Sequence, residues 1–178
     1  MSLLLRAACA FAMGFVMLTC GSVRAASETD GAADEPMFVE TPGAELAAAA
    51  QAANATVPQF RALLASGAAA DALPMVKKRF VDGDGNATWL WLMVEQVTDS
   101  GFEASVFEAP PDFPALSLGS RHFIADADVA DWAVVIAGVM HGGYSMRMQR
   151  ARLPEDERAS YDEYVGASSY APLPEAGD

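Results

Sequence analysis

Short stretches in which apolar and polar residues alternate, or in which apolar residues run together, recur from Met75 to Met148, with turn-forming residues between them. Period-two alternation between such punctuation predicts β-strands. The expected strands are Val76–Val81, Thr88–Val97, Phe102–Phe107, Arg121–Ile124, Ala133–Ala137 and Tyr144–Met148. In the second, Trp89 and Trp91 share one face and Leu90 and Leu92 the other. Both faces are apolar, so this strand is expected at the centre of a sheet, covered on both sides, with the tryptophans in the core. The chain is organised around its last pair of strands, from Asp131 to Arg147. Asp131-Trp132 opens it, Gly138 turns it, and His141-Gly142-Gly143 bends it again at what is expected to be the sheet rim. Two adjacent glycines allow positive φ or close approach of another group.

Elsewhere the pattern changes to helix. Ala44–Asn54 is alanine-rich, and alanine has the highest helix propensity. Leu46 is its one large apolar residue, so its packing is expected to be weak. Thr56 is placed to cap a second helix in which Phe60, Leu63 and Leu64 form one apolar face and which Gly67 ends. Asp126–Asp131 is expected to form a single helical turn with Asp126 as its cap. Ala109–Pro114 carries three prolines and is excluded from regular structure. Pro154 followed by three acidic residues predicts a short C-terminal helix, reaching Tyr161 and Tyr164. Ser168–Asp178 is expected to be disordered. The fold class that results is α+β. A curved, barrel-like antiparallel sheet of five to six strands carries an N-terminal helical segment and a short C-terminal helix.

The first 25 residues change the picture of where this domain works. Arg6 supplies a positive start, Ala7–Thr19 is an uncharged apolar run too short for a good membrane span, and Val23-Arg24-Ala25 offers small residues at a cleavage position. The expected organisation is therefore a signal peptide over 1–25, a polar acidic linker over 26–43, the α+β domain over 44–150, and a short helix with a tail over 151–178. The mature chain has no transmembrane span on this reading, and its expected location is periplasmic or secreted. The alternative is lipidation at Cys20, which Thr19 fits poorly. Both cysteines, Cys9 and Cys20, fall in or beside this segment. After cleavage at Ala25 the chain holds no thiol, which excludes disulfides, cysteine catalysis and thiolate metal sites.

Charge removes another class. The chain carries 11 basic and 24 acidic residues, a formal net charge of −13. No basic stripe exists to follow a phosphate backbone, so nucleic acid is not an expected partner. The one cluster, Lys77-Lys78-Arg79, reads as a charged guard on an exposed sheet edge, with an anion site as the alternative.

The order of Trp89-Leu90-Trp91, Gly101-Phe102, Leu116–Gly119, Asp131-Trp132 and Gly142-Gly143-Tyr144 with Arg147 resembles the YegJ-like family of bacterial domains of unknown function. The resemblance covers roughly residues 45–150. The chain departs from the pattern at Val134, where an aromatic is expected, and at Ser145, where threonine is expected. The resemblance implies an architecture and no activity.

Candidate chemistry is sparse. His141 with Asp131 could form a general base, although no serine lies in a nucleophile elbow; the alternative is a solvated hairpin histidine. His122 and His141 could share a metal only if the fold brought them together, and no paired spacing supports that, so neither metal nor cofactor is expected. Alternating aspartates in Asp82–Asn86 suggest a calcium loop, but the sixth and twelfth loop positions are Ala87 and Met93, so a hairpin turn is expected instead. Trp132, Gly142, Gly143, Tyr144 and Arg147 form the expected binding rim, with Arg147 either paired to Asp131 or free for an anion. The function expected is a non-catalytic binding or interaction domain in the cell envelope, its partner a protein or a small ligand. The alternatives are a hydrolase-like site around His141, Asp131 and Arg147, and an acidic immunity or inhibitor protein.

Overall fold

The structure, a computed structural model, describes residues 43–174. The signal-peptide and Cys20 expectations, the linker up to residue 42 and the last four residues of the expected tail lie outside the described residues, while Gly43, expected to end the linker, opens the first helix.

Two helices come first, α1 (Gly43–Ala55) and α2 (Val57–Ala65). Pro58 sits in the first turn of α2, where its missing N–H costs nothing. Gly67, at φ +77°, follows its end. The strands are β1 (Met75–Val81), β2 (Ala87–Val97), β3 (Gly101–Val106), β4 (Arg121–Ala125), β5 (Asp131–Ile136) and β6 (Val139–Gly142). Two further helices, α3 (Tyr144–Arg152) and α4 (Arg158–Tyr164), precede a two-residue strand, β7 (Ser169–Tyr170). The sheet order is β4-β3-β2-β1-β5-β6-β7, antiparallel throughout except where β7 runs parallel to β6. The α+β class holds, and the curved sheet is open rather than closed. It has seven strands, because β7, inside the stretch expected to be disordered, pairs with Val139 and Met140. A bulge in β2 between Val94 and Gln96 adds twist to the centre of the sheet.

The core lies between one face of the sheet and α1–α2. Leu90, Leu92 and Val94 of β2 alternate inward, and Val76, Phe102, Val106, Ile124 and Trp132 join them. Phe60 stacks on Trp132 with ring centroids 4.8 Å apart and tilts against Phe102 at 5.4 Å. Burying aromatic area of this kind is the dominant favourable contribution to such a core. Arg61 locks α2 to the sheet. Its guanidinium donates to both Asp126 carboxylate oxygens, to Thr98 O and to Gly101 O, and lies 4.9 Å over the Phe102 ring. Asp126 thus serves Arg61 rather than capping the 3-10 turn that it opens (Asp126–Asp128).

Three further expectations need correction. Trp89 is 49 % exposed and Trp91 half-buried, against 2 % exposure for Trp132. The two β2 tryptophans share a face, as their spacing requires, but that face is only partly covered. What faces it, α3, α4 and the Phe107–Pro111 loop, stands off across an open groove, and β5 joins β1 only at Met75, Val76 and Lys77. Lys77-Lys78-Arg79 is accordingly not on an outer edge strand, since β1 is central and only its second half is unpaired on one side.

The third correction is α3. Tyr144–Met148 is helical, not a strand. Met, Arg, Gln and Ala are good helix formers, and Gly142 and Gly143, at φ +67° and +69°, turn the chain out of β6 before α3 begins. Asp82–Asn86 is a hairpin turn, closed by the Asp82 carboxylate accepting from the Asp84 and Asn86 amides and the Asn86 side chain.

Candidate functional site

Asp131 begins β5 opposite Lys77 of β1, so both side chains leave the same face of the sheet. Asp131 is 1 % exposed. Its Oδ1 accepts from the amides of Trp132 at 2.8 Å and Tyr144 at 3.1 Å. Its Oδ2 accepts from the amide and the hydroxyl of Ser145, both at 2.7 Å. A carboxylate thirteen residues upstream therefore caps α3, whose own N-cap residue, Gly143, has no side chain to do so. Burial pushes the Asp131 carboxyl above its ordinary range, while the Ser145, Tyr144 and Trp132 donors pull it back down.

The rim residues expected from the sequence are brought together here, each with a packing partner. Gly142 passes against Trp132, where a Cβ would lie 2.3 Å from the Trp132 carbonyl oxygen. The Trp132 indole N–H donates to Thr56 Oγ1 at 3.0 Å, and that hydroxyl lies 2.8 Å from the Tyr144 hydroxyl. Thr56 sits at the N-cap of α2, but its hydroxyl serves this buried cluster and the carbonyl of Ala53. Arg147 turns back on its own chain, donating to Gly142 O at 2.7 Å and Met140 O at 2.9 Å. It makes no ion pair with Asp131. Together with Arg150 it stacks on the Tyr170 ring, at 5.0 and 5.1 Å. His141 is half-buried on β6, paired in register with Val134. His122 hydrogen-bonds Ser120 Oγ at 3.1 Å. Four strands separate β4 from β6, a span of roughly 24 Å at the usual strand spacing, so the two histidines cannot share an ion. Among the described residues no group of three or more His, Cys, Asp or Glu is placed to hold a metal.

The Arg150–Asp162 pair, bonded at 2.6 and 2.7 Å with the Tyr170 hydroxyl adding 2.5 Å, fastens α3, α4 and β7 together. The Arg150 hydrogen bond holds the Asp162 carboxyl below its ordinary range, with the Tyr170 hydroxyl assisting. A carboxyl depressed in the folded state contributes stability that is present above its unfolded pKa and lost as pH falls through the folded one. Melting temperature is therefore expected to drop below about pH 4. Asp162→Asn should flatten that acid limb, and a limb of unchanged steepness in the variant would assign it to other carboxylates.

The surface that the sequence did not point to lies on the other side of Lys77. Helical spacing puts Ser145 and Gln149 on one flank of α3 and turns Arg147 away. With Met146, Tyr161 and Tyr164 they face Trp89 and Trp91 across a groove of about 570 Å³, whose far wall is the loop Phe107–Pro111. Lys77 reaches its floor, donating to Ser145 Oγ at 3.3 Å and lying 5.6 Å from the Trp91 ring centre. Burial lowers the Lys77 ammonium below its ordinary range, and Asp131 opposes this. Three of the large apolar side chains left exposed on the molecule meet here: Trp89, Phe107 at 42 % and Tyr164 at 59 %. An apolar concavity with a few placed polar groups is the usual form of a small-molecule site. Trp89 and Trp91 were visible in the sequence as a pair on one face; what it could not show is that α3 and α4 stop short of covering them.

Among the described residues no helix is long and apolar enough to cross a membrane. A family model described as "Uncharacterized protein conserved in bacteria (DUF2314)" matches residues 43–168. No curated protein and no solved structure matches the chain.

Proposed function

The chain belongs to that bacterial family of uncharacterised proteins, whose model spans α1 to the threshold of β7, and on this premise we propose that it is an exported, non-catalytic binding domain of the cell envelope, with the tryptophan groove as its binding surface. One observation carries the reading: exposed aromatic side chains from β2, the Pro loop and α4 converge on a single concavity of ligand size. Exposed apolar residues scattered singly need no explanation, but a cluster on one groove does. Export rests on the character of residues 1–25.

Catalysis has less support. Both oxygens of Asp131 are committed to the Trp132, Tyr144 and Ser145 donors, and Arg147 is spent on carbonyls, so neither is available to a substrate beside His141. The test is recovery of bound material from envelope extract, read by mass spectrometry for proteins and small molecules alike. The baits are wild type and Trp89→Ser with Tyr164→Ser, two exposed positions whose change leaves the core intact. A species held by wild type and lost by the variant is expected. Equal recovery of everything removes the groove from consideration. Finding the protein in the cytoplasm with residues 1–25 retained removes export.

A further inference from the structure

The groove has a polarity that its apolar walls conceal. Lys77 Nζ carries three N–H donors, and the described residues supply one hydrogen-bond acceptor, Ser145 Oγ, at a long 3.3 Å. The adjacent Lys78 is ion-paired to Asp128 at 2.8 Å. Among the described residues Lys77 has no such pair, although Asp131 is directly across from it in register. The cause is the capping of α3. Four donors already occupy the Asp131 oxygens, which leaves that carboxylate as a nearby charge and not as a contact. The floor of an aromatic groove therefore holds a partly desolvated cation with unused donors. Among the described residues that line the groove, the one other acidic or basic side chain is Glu108, on the opposite wall. On a chain of net charge −13, an anion meets repulsion over most of the surface and finds complementary charge at Lys77.

We propose that the groove binds a small amphipathic carboxylate, its carboxyl group accepting hydrogen bonds from Lys77 Nζ and its aromatic or aliphatic body lying on Trp89 and Trp91 between Tyr164 and the Phe107–Pro111 loop. This rests on the binding-domain reading above and names the chemistry of its ligand. Ser145 orients the ammonium from the first turn of α3, so the ligand site and the α3 cap are built on the same residue. A neutral molecule of the same shape gains the stacking but not the charge-assisted bond, and leaves the lysine unpaired once water is displaced.

The experiment uses 11-(dansylamino)undecanoic acid and its methyl ester as matched probes, below their micelle concentrations. Energy transfer from tryptophan to dansyl reads the occupancy. Wild type is expected to bind the acid about tenfold more tightly than the ester, the worth of one hydrogen bond to a charged group. Lys77→Met keeps the length of the side chain and should weaken the acid to the level of the ester, leaving the ester unchanged. The acid–ester comparison on wild type needs no variant to fold. Equal affinity for acid and ester, an acid preference that survives in Lys77→Met, or no binding of either probe overturns the proposal. If both probes bind equally and the Trp89→Ser, Tyr164→Ser variant loses both, the groove stands as a binding surface and its preference for anions falls alone.

Discussion

Asp131→Ala is expected to cost about 3–5 kcal/mol, a drop in melting temperature of about 10 °C or more. The size follows from what the carboxylate satisfies. Removing it strands the buried amides of Trp132 and Tyr144, leaves the Ser145 amide and hydroxyl without their acceptor, and takes away the negative charge beside Lys77. Each buried donor left unpaired costs on the order of 1–3 kcal/mol. Asp131→Asn separates charge from shape. Its carbonyl can keep one pair of bonds, but its amide group meets donors with donors, so a loss of about 2 kcal/mol is expected rather than tolerance. Urea unfolding of the three proteins, with equal m-values as the check that the unfolded state is unchanged, measures this. An alanine variant within about 1 kcal/mol of wild type would show that water replaces the cap and that α3 stands without it.

That cap also marks the limit of what the sequence shows. Strands one to five, the two N-terminal helices and the Asp82–Asn86 turn follow from local periodicity and turn chemistry, because each is decided within its own window. Tyr144–Met148 is not. Five residues fit a period of two and a period of 3.6 about equally, and the deciding acceptor stands thirteen positions away on another strand. Ser169–Tyr170 escapes for a related reason, since two residues have no periodicity and their pairing depends on where α4 delivers them. The tryptophans of β2 show both kinds of information. Their shared face is legible from spacing; the exposure of Trp89 depends on how far α3, α4 and the Phe107–Pro111 loop stand from it. The candidate site inherits this. The rim at Asp131, Trp132, Gly142, Gly143 and Tyr144 is visible as a cluster along the chain, and its structural role is to aim α3. The groove that α3 helps to form draws on β1, β2, the Pro loop and α4, and no single stretch announces it.

The junction between β6 and α3 gives the second large effect. Gly142→Ala is expected to destabilise by about 3–5 kcal/mol, the sum of a left-handed backbone for a residue with a Cβ and an overpacked site. At φ +67° the new methyl would lie 2.3 Å from the Trp132 carbonyl oxygen and 2.5 Å from Trp132 Cε3. Neither atom can move freely, because that carbonyl accepts the Gly143 amide at 2.7 Å and the indole is stacked on Phe60 and bonded to Thr56. Gly143→Ala is the internal control. Its φ, +69°, carries the same backbone strain, but its nearest neighbour is the Met140 sulfur at 2.6 Å, near the end of a side chain with three rotatable bonds. About 1–2 kcal/mol is expected there. Thermal and urea unfolding of the pair separates the two contributions, since the difference between them isolates the clash with Trp132. Equal losses in both variants would mean that backbone conformation alone demands these glycines. The close passage of the chain over the indole would then not be what sets the direction of α3 and, through it, the wall of the groove.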